Sequence, residues 1–193
     1  MAGQGEPHQP RLFTPAVAVV VGYVLLIGNP WLNQELTLAV SDVESAIRLT
    51  NVLFSYPRWH VDVDRVGPFL FWFANLRTVL FVALAVAGLP RVSRWVSGSA
   101  GGLGRFVTTV GVTTLSAATA GLASALVAVT VLTTDDSLPF IDGARPEEFF
   151  LGQLGSSATF GVVFGVVLAA LAAGQSRAPT EEERRATPPK SFW

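Results

Sequence analysis

The sequence predicts an all-α, polytopic membrane protein: a four-transmembrane-helix bundle with an additional amphipathic helix in its first outer loop. Three observations carry that prediction. Four long apolar segments, about 13–32, 68–90, 106–132 and 151–173, are separated by charged or turn-rich stretches. Arg77 is the one charged residue inside any of them. Half of the 193 residues are hydrophobic, 14% are charged, and the mean hydropathy is +0.48. A soluble domain of this size needs a more polar surface. A hydrocarbon core of roughly 30 Å takes about 20 apolar residues per helix. Four such segments leave room for one bundle, 13–173, and no separate soluble domain.

Residues 1–12 are polar and contain proline, and are expected to be a disordered cytoplasmic N-terminus. They carry one arginine, and no A-x-A site follows the long apolar stretch, so span one is expected to stay as a helix. Pro15 suits a first helical turn, where its missing N–H costs nothing. Gly28-Asn29-Pro30 should stop the helix, with Trp31 at the outer interface.

Between about 34 and 56, Leu36, Val40, Val43, Ile47 and Phe54 recur at three- and four-residue spacing. Ser41, Asp42, Glu44, Ser45, Arg48, Asn51 and Ser55 take the opposite face. That pattern is an amphipathic helix, with Asn33 as its cap and Tyr56-Pro57 as its stop. Such a helix either lies on the outer membrane surface or covers the mouth of the bundle.

Span two opens with Phe69, Phe71, Trp72 and Phe73, which read as an outer interfacial belt, and Pro90 should close it. The connection 91–105 carries Trp95, Ser97 and several glycines, and should be short and flexible. Spans three and four are joined by an acidic loop over 133–150. The polar, Pro-rich residues 174–193 are expected to be a disordered cytoplasmic tail.

Charge asymmetry sets the orientation. With the N-terminus in the cytoplasm, eight basic residues fall inside and four outside, while ten of the fourteen acids fall outside. Arg91, Arg94 and Arg105 decide it, with no acid among them. Both termini are therefore expected in the cytoplasm, in a plasma membrane. Twelve arginines against one lysine, with abundant Ala, Val and Gly, point to a high-GC bacterial genome and hence an inner membrane.

The packing signal is a small-residue ridge in span four. Ser157, Gly161, Gly165, Ala169 and Ala173 fall every fourth residue. Span three offers a matching face in Thr113, Ala117, Gly121 and Ala125. Small residues let helix backbones approach, which matters because lipid gives no hydrophobic drive for association. The ridge is expected to join spans three and four; a membrane protein partner or a homo-oligomer is the alternative use.

Arg77 lies nine residues into span two, about 13 Å below Pro68 at 1.5 Å per residue. A guanidinium at that depth costs a few kcal/mol or more on insertion scales, roughly 2.5–3.5. No acid lies in another span to pair with it. Asn75, Tyr23 and the span-three hydroxyls are its candidate neighbours, as a tentative intramembrane binding site for an anion or polar solute. The alternative is a structural arginine that snorkels outward.

His60, Asp62 and Asp64 alternate, and in an extended segment would point one way, a weak candidate for a cation. The spacing fits no EF-hand or zinc pattern, so no metal site is assigned. Zero cysteines exclude disulfides and thiolate sites. No Walker A loop, nucleophile elbow, H-E-x-x-H or intramembrane acid is present. No cofactor and no nucleic-acid partner are expected; the partner is the lipid bilayer. The function expected first is a non-enzymatic accessory or structural subunit, acting through helix packing and an acidic outer surface. A small transporter or channel using Arg77 is second, and a membrane-embedded lipid-modifying enzyme third.

Overall fold

The computed structural model describes residues 15–33, 35, 52–54, 56–96, 101–132 and 146–175. Among these the chain is helical. α1 is Pro15–Ile27, α2 is the single turn Val63–Val66, α3 is Pro68–Val96, α4 is Gly102–Val127 and α5 is Pro146–Gln175. A π-helical turn, Ala128–Leu132, continues α4. The acidic residues Asp135, Asp136 and Asp142, residues 1–12 and 176–193, and most of the expected amphipathic helix lie outside the described residues, while Gly174 and Gln175 of the expected tail belong to α5.

Three helices are long and apolar enough to cross a membrane: Pro68–Arg91, Gly102–Val131 and Glu147–Ala173. α1 is apolar but has 13 residues, about 20 Å against a core of roughly 30 Å. It ends where Gly28 and Asn29 interrupt the helix, and residues 30–33 make a further turn. The helix thus ends at the expected Gly28-Asn29-Pro30 stop, and the rest of the apolar segment to residue 32 forms a separate turn. The break is stapled: Asn33 Nδ2 donates to Ile27 O at 2.9 Å and to Phe54 O at 2.8 Å.

Other boundaries shift outward. α3 runs through Pro90 to Val96, so Pro90 does not end the helix, although the stretch apolar enough to cross a membrane stops at Arg91. Proline removes one ladder hydrogen bond, and neighbouring groups can restore polar contacts in an apolar setting. Arg91 Nη1 donates to Ala87 O at 2.8 Å and Arg94 Nε to Pro90 O at 3.2 Å. α4 starts at Gly102 rather than 106, which places Arg105 in its first turn. α5 starts at Pro146 rather than 151, with Glu147 and Glu148 in the first turn, where acids complement the helix dipole.

α4 packs along both α3 and α5, and α1 lies against α3 and α5. The core is aromatic and small by turns. Val20 and Val24 of α1 meet Phe81, Ala85 and Leu89 of α3, Ala117 and Ala120 of α4, and Phe160, Phe164 and Leu168 of α5. A second cluster at the other end joins Phe69 and Phe73 to Ala125, Ala128 and the partly buried Phe149 and Phe150. Phe69 and Phe73 are thus core, a correction to the expected belt; Trp72 and Trp31 are exposed.

The α4–α5 seam uses the small residues. A Cβ at Gly161 would lie 2.5 Å from Thr114 Cα, and one at Gly165 would lie 2.9 Å from Val110 Cα. Ser157 packs on Gly121. Thr113 Oγ1 donates across the seam to Gly161 O at 3.1 Å. Ala117, Ala125 and Ala169 are buried, whereas Ala173 is exposed beyond the seam. Thr109, Thr114 and Thr130 hydroxyls return to carbonyls of their own helix, as hydroxyls in apolar helices commonly do.

Candidate functional site around Arg77

The non-helical segment 56–60 sits inside the bundle rather than over it. Tyr56 and Pro57 are buried. Their neighbours tie down the backbone with side chains. Asn75 makes a paired contact with His60: His60 N donates to Oδ1 at 2.9 Å, and Nδ2 donates to His60 O at 3.0 Å. Thr78 Oγ1 donates to Arg58 O at 2.8 Å. Trp59 closes the other side, with Nε1 donating to Val24 O at 3.3 Å and its N to Gly28 O at 3.3 Å. Gly28 is needed here, because a Cβ would lie 2.7 Å from Trp59 Cδ1. Tyr23 hydroxyl donates to Leu53 O at 2.6 Å. Backbone polar groups away from water must find partners, and these side chains replace a helix's own ladder.

Residues 75–78 lie about 10–15 Å along α3 from Pro68. The segment 56–60 therefore joins the end of α1 to the N-terminal half of α3, beyond the end of the short helix. Beyond it, Asp62 caps α2 by accepting from Asp64 N at 3.0 Å and Arg65 N at 3.3 Å. Gly67 then turns the chain into α3 with φ 81°, a conformation glycine adopts without a Cβ penalty. His60, Asp62 and Asp64 are thus not one extended face. No group of three or more His, Cys, Asp or Glu gathers among the described residues.

Arg77 faces this buried segment. Its Cζ lies 4.4 Å from the Tyr56 ring centre and 5.1 Å from that of Phe73. Nη1 donates to Gln153 Oε1 of α5 at 3.2 Å. Nε is buried without a hydrogen-bond partner, and so is the Tyr56 hydroxyl. No carboxylate pairs with Arg77 among the described residues.

Of the residues expected around Arg77, neither Asn75 nor Tyr23 bonds to it: both hold the backbone of the segment before α2. Tyr23 connects to the site through rings, lying 6.2 Å from Phe160, which lies 4.3 Å from Tyr56. Tyr56, Phe73 and Gln153 take the expected places. Gln153 carried a signal, as the one amide side chain within 151–173. Tyr56 carried none beyond its position before Pro57.

Compared with protein families, curated proteins and solved structures, the chain matches none.

Proposed function

We propose that this chain is a four-span membrane protein that binds an anionic or polar solute within its bundle through Arg77, as a small transporter or channel rather than an enzyme. One observation carries the reading: Arg77 projects among apolar helices with its Nε unpartnered and, among the described residues, no acid beside it. Cation–π contacts contribute roughly 0.5–2 kcal/mol each. Removing a charge from water costs several kcal/mol unless it is well paired. An ionisable group held in an apolar bundle against that cost is a candidate functional site.

α1 serves as the fourth span in this reading, completed by the segment 56–60. Charge asymmetry puts both termini in the cytoplasm of a plasma membrane. Cysteines introduced at 98 and 140 are then labelled from opposite sides; labelling from one side would overturn that topology.

The accessory-subunit reading stands second. Of its two candidate contact surfaces, the span-four ridge is taken, because Ser157, Gly161 and Gly165 pack on α4 of the same chain.

The test is the unliganded stability of Arg77→Met. If Arg77 is kept for a ligand, the variant melts higher than the wild-type protein, because an uncompensated charge is replaced by an apolar chain of similar length. A lower melting point would show that Arg77 holds Tyr56 and Gln153 together and would sink the reading.

A further inference from the structure

We infer that Arg77 takes its ligand side-on, through Nε and Nη2, and so selects an oxyanion with two oxygens on one centre, a carboxylate or a phosphate, over a halide. This rests on the reading of Arg77 as a ligand site. The guanidinium offers five N–H donors in a rigid fork. Nη1 is committed to Gln153. Among the described residues no acceptor takes Nε or Nη2. Those two nitrogens form one edge of the fork, and that edge matches two parallel N–H···O bonds to one carboxylate or phosphate.

The surroundings are rich in donors and poor in acceptors. The Tyr56 hydroxyl is buried and unpartnered. Gln153 has its oxygen turned to Arg77, which leaves its amide nitrogen, a donor, without a bond among the described residues. Phe73 and Tyr56 bring apolar surface around the cation, which strengthens a charge-assisted hydrogen bond by lowering the local dielectric. A bound oxyanion would accept from Nε and Nη2, neutralise the charge, and give the Tyr56 hydroxyl an acceptor. A halide would neutralise the charge, but as a single acceptor it draws both N–H groups to one point and cannot make two parallel bonds. The same chemistry comes from a free solute or from a lipid headgroup.

The full-length chain is purified in a phosphate-free maltoside and stripped of lipid. Its melting point is followed with sodium chloride, acetate or phosphate at equal ionic strength, and separately with added phosphatidylglycerol. The expected result is a saturable rise with acetate or phosphate, or with phosphatidylglycerol, that chloride does not produce. A response to the free ions identifies a solute site; a response confined to phosphatidylglycerol identifies a headgroup site. In Arg77→Lys, which keeps the charge and loses the fork, half-saturation should rise about tenfold or more, the loss of one charge-assisted hydrogen bond. Displacement of radiolabelled phosphate, or of phosphatidylglycerol followed by native mass spectrometry, from the wild-type protein by acetate and by chloride reads the same preference without any variant. Chloride acting as well as the oxyanions, or Arg77→Lys matching the wild type, overturns the side-on mode and leaves an anion site standing. A wild-type protein that responds to none of these probes, with Arg77→Met no more stable than wild type, removes both the mode and the reading beneath it.

Discussion

Replacing Gly161 with alanine adds one methyl group where α4 and α5 touch. The new Cβ would stand 2.5 Å from Thr114 Cα, 3.0 Å from Thr113 O and 3.1 Å from Ala117 Cβ. Carbon atoms settle at about 3.5–4.0 Å, so the backbones must part by roughly 1 Å. Neither contact at Thr114 nor at Thr113 is the end of a flexible side chain; both are backbone atoms that move only with α4. Forcing a methyl group into such a site costs about 1–3 kcal/mol. The Thr113–Gly161 hydrogen bond, 3.1 Å long, stretches with it. Alanine's better helix propensity offsets up to about 1 kcal/mol. The expected net change is a loss of about 1–2 kcal/mol, taking these terms together. Gly155 on the same helix has nothing within 4 Å of an added Cβ, so Gly155→Ala should range from neutral to about 1 kcal/mol more stable. Reversible unfolding in mixed micelles, followed by circular dichroism against the mole fraction of dodecyl sulfate, compares the two. If Gly161→Ala proves as stable as Gly155→Ala, the close seam is wrong.

Asn75→Leu removes both partners of the His60 backbone, and leaving a buried polar group unpaired costs about 1–3 kcal/mol. Amide exchange at residues 58–60 should accelerate while the α4–α5 seam stays protected; unchanged exchange there would mean that Asn75 does not hold the segment.

Much of the bundle was legible in the chain because it depends on local properties. Uninterrupted apolar runs over 68–90, 106–132 and 151–173 require a backbone that satisfies its own polar groups, and a helix does so. The Gly28-Asn29-Pro30 stop is likewise a property of three neighbouring residues, and α1 ends at Ile27. Four-residue spacing places Ser157, Gly161 and Gly165 on one stripe of any helix, and α4 lies on that stripe. Pro90 misled because proline's local effect, a missing donor, does not fix whether the helix ends: α3 continues past it.

The surroundings of Arg77 belong to the other class. Composition and spacing placed one cation among apolar residues, and that alone marked it. Which groups meet it depended on the packing of α5 and on a segment 15 or more residues away that enters the bundle beyond the end of a short α1. Gln153 is 76 positions from Arg77, and no periodicity relates them. Asn75 and Tyr23 looked like ligand groups because they are polar and near in sequence or in span depth. The fold instead uses them on the backbone of 53–60, where unpaired N–H and C=O groups had the stronger claim on any donor or acceptor within reach. The chain by itself determined the three long helices, the small-residue stripe and the isolated charge, since each follows from residues adjacent along one helix. Only the tertiary structure decided what surrounds that charge, because the partners converge from separate elements and a hydrogen bond forms only where geometry brings donor and acceptor together.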